Sequence, residues 1–167
     1  MTRDTYIRMT TTAGRVLDRL PGGTRLLPLP TLACAAAYLL ALLHLMLARD
    51  IRLIRVLCVP AACFVVCTIL RPIIGRMRPY DHFDARPVGS YKPGKGKSMP
   101  SRHTASAAAI ALAVAYVYPL PAVIAGMGIL CALIAGLRVL CGQHYPSDVL
   151  AALLLSLAIS ALGYILI

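Results

Sequence analysis

Glutamate is absent from this chain, and its acidic residues number only six: Asp4, Asp18, Asp50, Asp81, Asp84 and Asp148. Any carboxylate chemistry must draw on that short set. Neither the aspartates nor the histidines combine with cysteine at metal-ligand spacing, which argues against a zinc site or a carboxylate-rich metal centre. The six cysteines (Cys34, Cys58, Cys63, Cys67, Cys131, Cys141) form no C-x-x-C pair, and five of them lie inside apolar runs. They read as small packing residues. Internal repeats and low-complexity blocks are missing, and residues 1–29 hold no apolar core long enough for a secretory signal. Charge itself is scarce: 14% of residues are charged against 59% hydrophobic, with a mean hydropathy of +0.78. A domain of 167 residues cannot hide so much apolar surface from water. Lipid must be its solvent for much of the chain.

What charge there is has one sign. The net charge is +11, and the cations fall between long apolar runs. That placement points to phosphate groups at a membrane surface rather than to nucleic acid. Residues 1–29 carry Arg3, Arg8, Arg15, Arg19 and Arg25, with Tyr6, Met9, Ala13, Val16, Leu17 and Leu20 recurring at three- and four-residue steps. This spacing predicts an amphipathic helix lying on the membrane, ended by Pro21-Gly22-Gly23. Five apolar stretches follow, at roughly 30–48, 51–70, 104–118, 121–137 and 149–167. The expected fold is all-α: a polytopic bundle of about five membrane helices over 30–167, preceded by the basic interfacial segment 1–29. Ala105, Ala109 and Ala113 put a small-residue face on the third stretch, suited to close helix packing. Counting crossings places both polar segments, 71–103 and 138–148, on the same side of the membrane.

Three clusters lie on that side. In the first, Arg71 and Arg78 stand seven residues apart, on nearly one helical face, where two planar guanidinium groups can close on one anion; snorkelling to the interface is the plainer alternative. In the second, Pro100-Ser101-Arg102-His103 opens the third stretch, so a helix N-terminus, a hydroxyl and a cation stand beside an imidazole with a near-neutral reference pKa. In the third, Arg138 precedes His144 and Asp148. A carboxylate at the membrane edge needs a partner, and His144, four residues earlier, is the obvious one. An aspartate holding one ring nitrogen leaves the other free to attack, although a capping contact at a helix start would produce the same spacing.

Arg71-x6-Arg78-Pro79, Pro100-Ser101-Arg102-His103 and Arg138-x5-His144-x3-Asp148 together resemble the tripartite signature of the type 2 phosphatidic-acid phosphatase superfamily, over roughly residues 50–167. The resemblance implies a multi-pass protein of a bacterial cell membrane that hydrolyses a lipid phosphate without a metal or other cofactor. It implies His144 as the nucleophile that forms a phosphohistidine, Asp148 as its orienting partner, and His103 as the acid that protonates the leaving group and then activates water. Arg71, Arg78, Ser101, Arg102 (through its backbone N–H) and Arg138 would hold the phosphoryl oxygens. Three positions depart from the usual pattern: Arg71 replaces a lysine, Arg102 a glycine, and Leu137 the serine before Arg138. The family core commonly has six membrane helices, one more than counted here, which brings a homo-oligomer or an interface-bound substitute for the missing helix into consideration.

Between the first two clusters, Tyr80 to Ser98 holds Arg86, Lys92, Lys95 and Lys97 with Gly89, Gly94 and Gly96, and reads as a mobile basic loop over the site. The excess positive charge of Arg102 and these lysines slightly favours a prenyl diphosphate over phosphatidic acid or phosphatidylglycerophosphate. A non-catalytic protein that binds anionic lipids through the same arginines is the main alternative; it leaves the intervals of His103, His144 and Asp148 unexplained. Vanadate-dependent peroxidase chemistry, performed by a related soluble group, fits poorly with a transmembrane build. The excess of cations on the side of the site places it in the cytoplasm by the positive-inside rule, whereas bacterial members of the family commonly face outward. His44 and His82 have no functional signal.

Overall fold

The computed structural model describes residues 1–93 and 97–166. Lys95, Gly94 and Gly96 of the basic loop lie outside the described residues. The elements are helices α1 (Arg3–Arg19), α2 (Leu29–Leu47), α3 (Arg52–Ile74), α4 (Pro79–His82), α5 (Arg102–Val117), α6 (Pro121–Leu140) and α7 (Pro146–Leu166), with a short 3-10 turn at Gly23–Leu26. Local chemistry explains the boundaries. Thr2 caps α1 by accepting the Thr5 N–H, with Asp4 in the first turn and Arg19 in the last. Proline opens α4, α6 and α7 at the position where its missing N–H costs nothing. Gly75 ends α3 in the left-handed region (φ 61°), its N–H returning to the Arg71 carbonyl.

The segments containing α2, α3, α6 and α7 are long and apolar enough to cross a membrane. Their outward faces carry exposed leucines and isoleucines such as Leu39, Leu40, Ile69, Leu133 and Leu157. On a soluble protein such a surface would aggregate; here it meets acyl chains. The chain is an all-α transmembrane bundle, as its composition predicts.

α5 is the hub, packing on α2, α3, α6 and α7. Its alanines make this possible: Ala105, Ala109 and Ala113 are fully buried, with Ala107 and Ala108 nearly so. Without side chains to hold them apart, four helices can close on one. α3 and α7 also meet tightly, for a Cβ placed on Gly163 would collide with the Val59 side chain.

Two helices run further than their apolar stretches. α3 continues through Arg71 to Ile74, and α6 through Arg138 to Leu140. Both arginines find partners at the same end of the bundle, so helix propagation carries them inward rather than ending at the first charge. The two polar segments meet at one end of the bundle, as the sequence predicts. The chain after α3 bonds to the start of α7 (Arg76 Nη1 to Ser147 Oγ, 2.7 Å), and the start of α5 bonds there too (Ser101 N to Asp148 O, 3.1 Å).

α1 forms as the periodicity predicts, with Tyr6, Thr10 and Leu17 on its buried face. Val16 and Leu20, counted from the sequence on the apolar side, are exposed at the protein surface. The described residues of the Tyr80–Ser98 loop, read from the sequence as a mobile basic loop over the site, hold several contacts to the rest of the bundle. Tyr80 is buried and donates to the Lys92 carbonyl (3.0 Å), the Val88 N–H bonds the Cys141 carbonyl (3.0 Å), and Ser98 is fully buried. The prolines and aromatic residues in this stretch give it anchors that its charge pattern conceals.

Candidate active site

A cavity of about 780 Å³ opens between the starts of α2 and α5, the ends of α3 and α6, and the chain that leads from α6 to α7. His103 and His144 line it together, with Arg71, Arg78, Arg102 and Arg138 around them. Seven of the eight residues singled out in the sequence thus stand in or directly behind one chamber, Asp148 being the one behind. Ser101 is brought close but turned away. It is fully buried, its N–H bonds the Asp148 carbonyl, and its hydroxyl accepts from Thr104 (3.0 Å). Ser101 therefore secures the first turn of α5 and the α5–α7 contact.

The spacing of the third cluster has a structural cause. α6 ends at Leu140, Gly142 turns the chain at φ +72°, and the N–H groups of Gln143 and His144 both bond the Arg138 carbonyl (3.0 and 3.1 Å). The Arg138 guanidinium meanwhile donates to Gln143 Oε1 (2.7 Å). His144 is thus wrapped against the last turn of α6 by the residue six positions before it. The ring is buried, with Nδ1 toward Asp148 Oδ2 at 3.6 Å and toward Ser98 Oγ at 3.5 Å. That leaves Nε2 as the ring nitrogen without a protein partner among these contacts. Burial, the largest influence, pushes the His144 imidazole below its ordinary pKa, and Arg78 and Arg71 act in the same sense against the Asp148 carboxylate. The ring is therefore neutral at physiological pH, as a nitrogen nucleophile must be.

Asp148 serves two purposes at once. It sits at the third position of α7 and accepts the N–H of Tyr145, which caps that helix (2.9 Å). The same oxygen accepts the Ser98 hydroxyl at 2.5 Å, and Oδ1 takes Arg76 Nη1 at 2.8 Å. The capping and the orienting readings of this residue are both present. A fully buried carboxylate is held by an arginine, a hydroxyl and a backbone amide. His144 stands slightly beyond hydrogen-bond reach at 3.6 Å, a gap of the kind that tightens when substrate arrives.

Arg76 and Ser98 were missed in the sequence. Arg76 was treated as a spacer inside Arg-x6-Arg, yet its guanidinium bonds Asp148 and Ser147 and stacks 4.3 Å over the Tyr145 ring. The available signals were Gly75, whose left-handed turn redirects the chain toward α7, and Asp148 itself, which needed a cation that His144 could not fully supply.

The cavity arginines differ in how far they are committed. Arg71 is buried and donates through Nε and Nη2 to the Lys97 carbonyl, so it fixes the Lys97–Ser98 segment while facing the chamber. Arg78 keeps a buried Nε without a protein partner, an unmet donor of the sort that an anion satisfies. Arg102 is exposed, with its guanidinium 5.8 Å from the Phe64 ring. Beside it runs a second, largely apolar cavity of about 350 Å³, which shares Thr31, Arg102, His103 and Ile134 with the first. Among the described residues no group of three His, Cys, Asp or Glu side chains is disposed to hold a metal ion.

Known proteins resemble this chain in sequence and in fold. The chain is 38% identical over 94 residues to lipid A 1-phosphatase of Rhizobium etli, covering 53% of this chain and 39% of that protein. It is 36% identical to lipid A 1-phosphatase of Rhizobium johnstonii, covering 53% and 37%. The matched region is thus about two fifths of the length of these relatives. In fold it is similar to the transmembrane PAP2-type phosphatidylglycerolphosphate phosphatase from Bacillus subtilis, with a TM-score of 0.70 at 22% identity, over 98% of this chain and 85% of that one. The model of the PAP2 superfamily matches residues 51–167, which contain all three clusters, and the chain belongs to that superfamily.

Proposed function

We propose that this protein is a membrane lipid phosphatase working through a phosphohistidine on His144. The observation that carries the reading is the convergence of a neutral, buried His144 and a second imidazole, His103, on one arginine-lined cavity. Arg71, Arg78, Arg102 and Arg138 hold the non-bridging phosphoryl oxygens and stabilise the charge that spreads onto them in the transition state. Nε2 of His144 attacks phosphorus, and the bond to the lipid oxygen breaks. His103, which takes up a proton when the phosphate's negative charge enters among the arginines, gives that proton to the lipid oxygen. In the second step His103 takes a proton from water, the resulting hydroxide attacks phosphorus, and the P–N bond breaks to release inorganic phosphate and restore His144. Asp148 keeps the proton-bearing Nδ1 of His144 directed at itself throughout.

The adjoining apolar cavity supports a lipid as substrate, since it offers a chain a place immediately beside the phosphate chamber. Arg102 stands at the junction, and Lys92 and Lys97 line the outer chamber. This charge beyond one phosphate favours a diphosphate, such as a prenyl diphosphate, over phosphatidic acid or phosphatidylglycerophosphate. The lipid A 1-phosphatases it resembles add a phosphorylated glycolipid to the substrates worth testing. The deciding experiment measures phosphate release from undecaprenyl diphosphate, phosphatidic acid, phosphatidylglycerophosphate and lipid A, with and without EDTA. Turnover of at least one, unaffected by EDTA and abolished in His144→Ala, is expected. Full activity in both His144→Ala and His103→Ala refutes the assignment, and anionic-lipid binding without hydrolysis of any substrate establishes the non-catalytic alternative.

A further inference from the structure

α1 lies outside the region matched by the family model, yet it is bonded to the segment that presents His144. Tyr6 is fully buried, and its hydroxyl faces two carbonyls, Ala85 O at 3.1 Å and Gly142 O at 3.4 Å. Burial above all pushes its pKa up to about 12, so it remains a proton donor under all physiological conditions. The ring packs on Phe83 (centroids 5.4 Å apart), which in turn contacts Tyr145 (6.4 Å). On the other side of the turn, a Cβ placed on Gly142 would stand 2.6 Å from both Tyr6 Oη and Thr10 Cγ2. Thr10 is itself buried, its hydroxyl directed to the Tyr6 and Ile7 carbonyls of its own helix. The α6–α7 turn therefore rests directly on α1 at Gly142, two residues before His144, and the 83–88 segment is clamped between them by the Val88–Cys141 backbone bond.

We propose that Tyr6 is a positioning residue for His144: it fixes the Gly142 turn against the 83–88 segment and so holds the imidazole at Asp148 and at the chamber wall. The consequence for activity rests on the reading of His144 as the nucleophile; the positional claim does not. Physically, the backbone bonds of the turn to Arg138 and Val88 leave the Gly142 position itself to be set by what packs against it. Its glycine is conformationally permissive, and the atoms nearest its missing side chain belong to Tyr6 and Thr10 of α1. Removing the phenol leaves a void under the turn and frees the backbone that carries His144. Of the arginines lining the chamber, Arg71, Arg78 and Arg102 stand on or beside α3 and α5 and keep their own supports, and only Arg138 shares a contact with the turn, through Gln143 Oε1. Loss of Tyr6 should therefore weaken the chemical step more than anion binding.

The test uses the full chain in detergent micelles, with Tyr6→Ala, Tyr6→Phe and, as a control on the exposed side of α1, Val16→Ser. Two readouts are compared: turnover of phosphatidic acid with inhibition by orthovanadate, and the rate of His144 carbethoxylation by diethyl pyrocarbonate, followed by mass spectrometry. In Tyr6→Ala, kcat is expected to fall about tenfold or more, with KM and vanadate affinity within about twofold, as for a nucleophile displaced by a fraction of an ångström. His144 modification should accelerate in the same variant. Tyr6→Phe, which keeps the ring under the turn, should recover most of both signals, and Val16→Ser should match the wild type. Unchanged kcat and unchanged modification in Tyr6→Ala overturn the proposal. So does a parallel loss of kcat, vanadate affinity and melting temperature, which would mark general loosening. If His144→Asn retains turnover, the catalytic reading falls, while the modification rates still decide whether Tyr6 positions the ring.

Discussion

Replacing Arg76 with methionine tests the part of the site that motif reading passed over. The substitution keeps an apolar stem and removes the guanidinium that holds Asp148 Oδ1 at 2.8 Å. Asp148 has no exposed side-chain surface, whereas that of Arg76 is 35% exposed. Breaking a wholly buried ion pair costs about 3–5 kcal/mol. Because Arg76 is partly open, water can enter its place, and Oδ2 keeps the Ser98 hydroxyl and the Tyr145 N–H. The expected loss of stability is nearer 1–2 kcal/mol, that of one charge-assisted hydrogen bond to a buried acceptor: about 1.5 kcal/mol. The carboxylate that faces His144 is then free to rotate, and a similar share of the barrier is lost, about a tenfold fall in kcat for each 1.4 kcal/mol. KM should move little, since Arg76 does not line the chamber. Arg76→Lys restores the charge but not the planar contact over Tyr145, and should fall between the two. The assay is lipid phosphate hydrolysis in micelles together with thermal denaturation, extended to a double-mutant cycle with Ser98→Ala. Wild-type kcat in Arg76→Met, or strict additivity with Ser98→Ala, would refute the idea that the two side chains share one carboxylate.

Ser98→Ala alone removes the 2.5 Å bond to Asp148 and should lower kcat about tenfold, by roughly 1–2 kcal/mol, in the same hydrolysis assay. The pH profile of kcat/KM should show an acid limb for His144 with a midpoint below the ordinary imidazole value of about 6.5, because burial favours the neutral ring. Asp148→Asn removes the one carboxylate that opposes this, so the limb should move to still lower pH while the maximal rate falls. The same group makes folding pH-dependent. Its stabilising contribution is complete above about pH 6.5 and is lost as pH falls from there toward the depressed native value, which denaturation at stepped pH would detect. Arg102→Gly, which restores the usual family residue, should reduce hydrolysis of undecaprenyl diphosphate relative to phosphatidic acid severalfold; an unchanged ratio would remove Arg102 from substrate selection. Gly163→Val should lower the melting temperature by forcing α3 and α7 apart at Val59, at a cost of about 1–3 kcal/mol, with the chamber untouched.

What could be read in the sequence depended on whether a residue's role was local or needed a partner from far along the chain. The five apolar helices, their shared end and the convergence of His103, His144 and four arginines followed from hydropathy and parity of crossings, which are properties of short windows summed along the chain. The alanine face of α5 was legible because it is periodic. Arg76 and Ser98 were not legible, since each acts on Asp148 from 72 and 50 residues away and neither interval is a helical or strand period. Ser101 illustrates a different limit. Its place beside His103 suggests a phosphate donor, while the fold also has its oxygen accept the Thr104 hydroxyl one turn into the helix, a second contact that residue type alone does not reveal.

The departures from the family pattern have a common physical logic at the level of the site. Arg71 in place of lysine supplies the fork that lets one side chain grip the Lys97 carbonyl with Nε and Nη2 and still face the chamber; a lysine ammonium has a single nitrogen to divide between those tasks. The Lys97–Ser98 segment so fixed delivers the Ser98 hydroxyl to Asp148, and Asp148 faces His144. Arg71 is thus coupled to His144, the proposed nucleophile, through three contacts while it also lines the chamber. Arg71→Lys should therefore affect kcat and KM together, whereas Arg78→Lys, at a residue whose buried Nε has no protein partner to lose, should act mainly on KM. Steady-state kinetics on the two variants separates these cases, and equal effects on KM alone would show that the Arg71–Lys97 contact carries no part of the chemistry.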